Sequence, residues 1–389
     1  MGMWITGVRL CLPDGEVLRG NVCIGDGRIQ RVEKGADRAS DECVEGEGMF
    51  LAPGFVDMHV HGALGRDAME ASPEAFETIC KYHASGGTTA LALTTVCASW
   101  PDIGAVLDTA RAWRGCSGET GARLLGIHVE GPYFSPEKRG AHRPEFLQIP
   151  KPDDIDHWTR YSDVIAKITL APELPGMREL LPALAVAGFR VSGGHSDAWD
   201  EDAQFAFAAG MRQVTHAFNC MSSSRRRGAY RVAGLLEAAL AHPEVVCEVI
   251  ADGHHVSPTL LRMLWAAKGP GRVALVTDAT AGAGLPAGAE FDLGEIRCRV
   301  GDGVALTLDG SAFAGSTCRM IDGLRTLVHE CGIPLGDAVS AATRTPAEAL
   351  GIADECGTLA EGARADLVLF DGDFRVRRTW VGGRLVYQA

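Results

Sequence analysis

Eight short apolar runs, most of them separated by stretches of helical periodicity, constrain this chain more than any other feature. They are Gly54–His59, Thr88–Thr94, Arg123–Glu130, Val164–Pro172, Phe189–His195, Gln213–His216, Val245–Ala251 and Arg272–Asp278. Runs this short and this apolar suit strands buried on both faces. The stretches between them read as helices, for example Pro73–Ser85 behind an N-capping Ser72, and Pro258–Lys268. Strands alternating with helices imply a parallel sheet, and eight of them are what a closed barrel needs. The spacing predicts an α/β fold, a (β/α)8 TIM-like barrel.

The two ends read differently. Trp4–Leu10, Val17–Ile24 and Ile29–Val32 are strand-like and are punctuated by turns at Pro13-Asp14-Gly15 and Asp26-Gly27. Asp366–Phe370 and Trp380–Tyr387 behave the same way, with Asp371-Gly372 and Gly382-Gly383 as turns. Two β-rich ends around a long α/β middle predict a split domain, residues 1–52 plus 355–389, forming a small β-sandwich. The barrel then occupies residues 53–354, with a hairpin-like insert near 288–312 within Gly288–Gly315.

At 389 residues the chain is long enough for one large barrel and a small accessory unit. A formal net charge of -13 argues against nucleic acid or an anionic membrane as partner. An anionic small molecule stays possible, since a local cationic pocket overrides the global sign. The 12 cysteines include no CxxC pair, so buried reduced thiols in a cytoplasmic protein are the plainest reading. The opening MGMWITGVRLCLPDGEV has no basic segment followed by a long apolar run, so no signal peptide is expected. No apolar stretch reaches membrane-span length.

Five of the eight runs end in groups that bind metals or move protons: His59 and His61, Glu130, His195, His216 and Asp278. Barrel active sites sit at the C-terminal ends of the strands. Side chains alternate along a strand, so His59 and His61 point the same way and can share one metal. Imidazole with carboxylate suits zinc, iron or related divalent ions. A single HxH is a weak signal, because histidines near strand ends often only satisfy a backbone carbonyl. Four of 12 histidines, with one glutamate and one aspartate, at one recurrent position of the alternation form a much stronger one.

The segments APGFVDMHVHG, LGIHVEGPYFSPEKRGAH, VSGGHSDA, VTHAFNCM, ADGHHV, LVTDAT and GSAFAGS occur in the order and spacing of the N-acetylglucosamine-6-phosphate deacetylases, and the chain resembles that family of amidohydrolases over nearly its whole length. The resemblance implies that Glu130, His195 and His216 are the primary metal ligands and that His59 and His61 are the HxH pair. A chain that keeps both histidines is expected to take two divalent ions, with Glu130 bridging, where some members take one. Zinc is the expected metal, with iron, cobalt or manganese as alternatives. Asp278 matches the catalytic aspartate and His142 a substrate-facing histidine. Asn219, Cys220, Arg227 and His255 match positions that hold the sugar phosphate. Arg227 is expected to reach a neighbouring subunit, which makes the chain a homodimer.

The chemistry agrees with these roles. A metal lowers the pKa of a bound water toward neutrality, Asp278 takes the water's proton and returns it to the leaving amine, and the metal or His142 polarises the acetyl carbonyl. The substrate is then a phosphorylated N-acetyl amino sugar and the products acetate and a 6-phosphorylated amino sugar. The run Ser222-Ser223-Ser224-Arg225-Arg226-Arg227 offers hydroxyls and guanidinium groups for the phosphate, against the blander reading of a solvated charge run. Of the adjacent His254 and His255, the resemblance selects His255 for the site.

Three departures stand out. Cys220 replaces a commoner alanine, Arg143 a commoner asparagine beside His142, and the Ser-Arg run is unusual for the family. They fit N-acetylgalactosamine 6-phosphate nearly as well. Amidohydrolases acting on cyclic amides or N-acyl amino acids use a strand-four lysine or a cysteine ligand. The lysine in the fourth run, Lys167, lies three residues before Leu170 and is poorly placed for that role. A nucleobase aminohydrolase would not need the arginines. A non-enzymatic scaffold would be expected to have lost one of Glu130, His195, His216 or Asp278.

Overall fold

The computed structural model describes residues 2–12, 15–35 and 43–389, so Pro13 and Asp14 of the first expected turn lie outside the described residues. The eight apolar runs form one parallel sheet in chain order: β1 Phe55–Val60, β2 Thr88–Thr94, β3 Arg123–Glu130, β4 Ile165–Leu170, β5 Val191–Gly193, β6 Gln213–Val214, β7 Val246–Ile250 and β8 Val273–Val276. The sheet closes between its first and last strands. Val60 bridges Ala279 in parallel, and the Asp278 amide donates to the His59 carbonyl at 2.9 Å. The (β/α)8 barrel expected from the alternation is therefore present.

Helices wrap the barrel because their apolar faces match its outer wall. Helix Pro73–Ala84 starts where Ser72 accepts from the Ala75 amide, and buries Phe76, Ile79 and Cys80. Helix Pro258–Lys268 follows Ser257 and buries Leu261 and Leu264. Both join a core that runs continuously between helices and strands.

Three of the strands that stop short of the apolar runs containing them share one backbone feature. β5 ends at Gly193, β6 at Val214 and β8 at Val276. Two residues beyond each end, the backbone enters the left-handed region, at His195 (φ 51°), His216 (φ 31°) and Asp278 (φ 49°). Non-glycine residues rarely adopt this conformation, and it persists where surrounding structure enforces it.

Both chain ends build one sheet, in the order Arg384–Gln388, Val376–Val381, Leu367–Phe370, Phe50–Pro53, Met3–Cys11, Val17–Gly25 and Arg28–Lys34, with Cys43–Glu45 beside Met3–Cys11. Its two halves pack on a common cluster of Ile5, Val22, Ile29, Leu51, Leu367, Leu369 and Trp380, separate from the barrel core. The expected turn at Gly382-Gly383, at φ 54° and 75°, divides the strand-like stretch Trp380–Tyr387 between Val376–Val381 and Arg384–Gln388, which pair antiparallel. The insert after β8 is larger than a hairpin: Glu290–Leu293, Ile296–Val300, Val304–Thr307 and Phe313–Ser316 form a four-stranded antiparallel sheet. Phe291, Leu293, Val300 and Ala314 pack it onto Val96 and Ala281 of the barrel rim. Among the described residues no helix is long and apolar enough to cross a membrane.

Candidate metal centre

Glu130 ends β3 inside the mouth of the barrel and is shared by two groups of possible metal ligands, His59–His61–Glu130 and Glu130–His195–His216. Its Oε1 lies 3.5 Å from His59 Nε2, 3.4 Å from His195 Nε2 and 3.3 Å from His216 Nε2, and its Oε2 lies 3.3 Å from His61 Nε2. His59 and His61 face each other through Nε2 at 3.2 Å, and His195 and His216 at 3.1 Å. Asp278 Oδ1 completes the cluster at 3.3 Å from His59 and 3.2 Å from His61.

These separations can be tested against a metal. Bonds of about 2.0–2.1 Å in a tetrahedron place neighbouring ligand atoms roughly 3.3 Å apart. The second ring nitrogens also matter. His195 Nδ1 lies 2.9 Å from the Lys138 carbonyl and His59 Nδ1 lies 3.3 Å from Glu248 Oε2. Both acceptors require the proton on Nδ1, so each Nε2 turns a lone pair inward. Glu130 Oε1 is buried with no hydrogen-bond donor. Converging lone pairs on an acceptor-only carboxylate fit a divalent cation.

The electrostatics agree. Burial alone would push the Glu130 carboxyl up, but His59, His195 and His216 outweigh it and hold the group well below the usual carboxylate range. Asp278 is likewise held below its ordinary range, with burial outweighed by His59 and His61. Burial would lower His59, yet Glu130 and Asp278 raise it well above its ordinary value. The carboxylates therefore demand positive charge in the cluster, which a divalent cation would supply while the imidazoles stay neutral.

His142 differs from the other histidines. Burial, helped by His195, depresses its pKa to about 3. Its Nδ1 accepts from the Cys97 amide at 3.2 Å, so the neutral ring carries its proton on Nε2, which lies 3.7 Å from Glu130 Oε2. It is a fixed hydrogen-bond donor at the edge of the cluster.

A cleft of about 160 Å³ opens over these groups and is lined by His61, Glu130, His142, His195, His216 and Asp278, together with Asn219, Cys220 and His255. His59 lies beneath its floor, fully buried. His255 is held by Asp252 (Nδ1 to Oδ2 2.6 Å), whereas His254 is exposed. Asn219 and Cys220 sit on the loop after β6, where His216, Phe218 and Cys220 all have positive φ. Leu293 and Phe313 of the insert form the opposite wall.

The Ser222–Arg227 run does not line this chain's own cleft. Ser222 is buried, donating to the Ala198 carbonyl and accepting from the Leu235 amide. Ser223 bonds Glu237, and Arg225 pairs with Asp197 at 2.6 Å. Residues Arg225–Arg227 and Tyr230–Val232 form a two-stranded arm that carries Tyr230, 79% exposed, near its tip. Arg225 and Arg227 both lie over the Trp199 ring, at 3.9 and 4.1 Å, and Arg227 also pairs with Glu201.

Sequence reasoning passed over Glu248, and weighed Lys167 only as a strand-four metal ligand, a role it is poorly placed to fill. Both are fully buried and paired with each other inside the barrel, and the ionisable residue in the middle of VVCEVIA and of VIAKITLA was the available signal.

The fold and the cluster define a metal-dependent hydrolase of the barrel type, and the family model for the amidohydrolase family matches residues 50–386. The chain belongs to the amidohydrolase family. More narrowly, its relatives are deacetylases of amino sugar phosphates. The N-acetylglucosamine-6-phosphate deacetylase of Vibrio furnissii is 37% identical over 87% of this chain and 83% of its own length. The N-acetylgalactosamine-6-phosphate deacetylase of Escherichia coli O157:H7 is 32% identical over 97% of each. The N-acetyl-D-glucosamine-6-phosphate deacetylase of Mycobacterium smegmatis, solved as a mutant in complex with N-acetyl-D-glucosamine-6-phosphate, superposes with a TM-score of 0.92 at 31% identity, covering all of both chains.

Proposed function

We propose that this chain hydrolyses the N-acetyl group of N-acetylglucosamine 6-phosphate, releasing glucosamine 6-phosphate and acetate. The observation that carries the reading is Glu130 shared between two histidine groups, with Asp278 on one side and a neutral His142 on the other. Relatives of that name over most of the chain support the substrate.

The residues supply the steps. His59, His61, Glu130, His195 and His216 would hold one or two divalent ions, and the nitrogen-rich donor set suits zinc, with iron, cobalt or manganese as alternatives. Such an ion supplies Lewis acidity and lowers the pKa of water toward neutrality. Asp278, ionised and aimed into the cleft, takes the proton of the attacking water and delivers it to the departing nitrogen. His142 donates Nε2–H to the acetyl oxygen as negative charge develops on it. Asn219, Cys220 and His255 line the part of the cleft that receives the sugar phosphate.

The exposed arm extends this proposal to a homodimer in which Arg227 reaches the cleft of the second copy and binds its phosphate. Twelve cysteines, none in a disulfide among the described residues, support a reducing cytoplasmic setting.

One second substrate has specific support. The Escherichia coli O157:H7 relative is named for the galacto epimer. An acetate-release assay with the 6-phosphates of N-acetylglucosamine and N-acetylgalactosamine, and with both free sugars, tests the proposal. Rapid release from the gluco 6-phosphate is expected. Release from neither phosphate would overturn the reading and return the cyclic amide and N-acyl amino acid alternatives.

A further inference from the structure

Lys167 on β4 and Glu248 on β7 face each other across the barrel interior, one layer beneath the metal centre, and each is fully buried. Lys167 Nζ forms an ion pair with Glu248 Oε1. The other oxygen, Oε2, lies 3.3 Å from Nδ1 of His59. Glu248 thus touches the ring on the side opposite Nε2, and it belongs to neither group of possible metal ligands.

Stability alone is a poor reason for such a pair. Desolvating two charges costs several kcal/mol per ion, and well-packed apolar residues of similar volume often serve a core as well or better. The pair has a specific geometric product instead. A carboxylate only accepts, so Nδ1 of His59 must be the donor, and in the neutral ring that binds a metal Nε2 carries the lone pair. The Lys167 ammonium occupies the other oxygen and fixes the direction in which the carboxylate faces. His61, the other half of the HxH pair, has no partner on Nδ1, and neither does His216. His195 is set by a backbone carbonyl. Among the described residues, His59 is the one imidazole of the cluster whose outer nitrogen is held by a charged side chain.

We infer that Lys167 and Glu248 are a positioning pair for the His59–His61 half of the centre, and that they set whether the chain holds a second divalent ion. The inference rests on the metal-hydrolase reading above. The pair touches neither substrate nor the reacting atoms. Its effect is confined to one of the two metal positions, because only His59 contacts it.

Zinc binding measured calorimetrically and by elemental analysis on the chelator-stripped full chain tests this. Wild type is expected to take up two zinc ions per chain. Replacing both charges by apolar groups, Lys167→Met with Glu248→Met, should weaken the second ion by about 10- to 100-fold and leave the first within a few-fold. Lys167→Met with Glu248→Gln keeps an amide oxygen opposite Nδ1 and should restore the second ion to within a few-fold of wild type. Thermal unfolding of each stripped protein establishes that it is folded. If a pair variant does not fold, Glu248→Gln alone, which retains the acceptor, is compared with Glu248→Leu, and a smaller loss of the second ion is expected for glutamine. Equal second-ion affinity in the methionine and glutamine forms, or in the glutamine and leucine forms, would reduce the pair to packing and overturn the inference. So would a wild type that binds one ion only. A wild type that binds no zinc, cobalt or manganese would instead defeat the metal-hydrolase reading itself.

Discussion

Asp57 on β1 accepts from Thr277, just beyond β8, twice: from its hydroxyl at 2.6 Å and from its amide at 3.2 Å, across 220 positions of sequence. The same carboxylate accepts from the His59 amide at 3.3 Å. One buried side chain therefore closes the barrel and sets the backbone on either side of the site, with His59 to one side and Asp278 to the other. Asp57→Ala leaves the Thr277 and His59 amides without this buried acceptor and the Thr277 hydroxyl with only the His59 carbonyl at 3.4 Å, and each unsatisfied donor costs about 1–3 kcal/mol. A drop in unfolding free energy of roughly 3 kcal/mol is expected in urea titrations. Unchanged stability would mean that the seam is held elsewhere.

Asp278→Asn keeps the size of the side chain and removes its basicity. Turnover should fall by about 10²- to 10⁴-fold while zinc content stays at the wild-type level. Near wild-type acetate release from this variant would assign the proton transfer to another group.

His142→Ala removes the Nε2–H donor but no proposed metal ligand. The expected result is a loss of about 10²- to 10³-fold in kcat, with zinc content unchanged. An effect on KM alone would place His142 in binding rather than in stabilising the developing oxyanion.

Arg227→Ala should raise KM for the phosphorylated sugar far more than for the free sugar. Mixing it with Asp278→Asn chains and allowing subunits to exchange creates mixed dimers with one complete site, if Arg227 serves the second copy. A recovery to about a quarter of wild-type activity is expected for random exchange in a two-fold dimer. No recovery on mixing would confine Arg227 to its own chain.

His83 provides a handle on acid stability. It is fully buried, and burial lowers its pKa from 6.5 to about 4, only partly offset by its hydrogen bond to the Gly62 carbonyl. The unfolded chain takes up this proton more readily than the folded one, so the stability contribution is complete above pH 6.5 and is lost as pH falls toward 4. His83→Gln should flatten that loss by on the order of 3 kcal/mol, read as a smaller drop in Tm between pH 7 and pH 4.

The barrel was legible because its strands are apolar on both faces and its helices carry their own caps, as at Ser72. The polar cluster was legible for a related reason: His59, Glu130, His195, His216 and Asp278 each interrupt or end an apolar run. Pairing across the barrel was not legible. Lys167 and Glu248 are 81 residues apart on strands that do not neighbour each other, so no local pattern connects them. Nor does anything in the residue types of His195, His216 and Asp278 announce a left-handed backbone, which glycine would have signalled. The partners of the Ser222 and Ser223 hydroxyls were not legible for the same reason. These partners, Ala198, Leu235 and Glu237, come into reach only through the fold.

The terminal sheet has a consequence for synthesis. Phe50–Pro53 lies between Met3–Cys11 and Leu367–Phe370, so one of its edges waits for a strand made more than 300 residues later. Throughout translation that edge stays open beside apolar Leu51 and Phe55, a template for pairing with another nascent chain. A ribosome that stalls anywhere before residue 367 leaves it unpaired, even with all eight barrel strands already made. For this molecule the synthesis of Leu367–Phe370 is the step that makes the first strands safe.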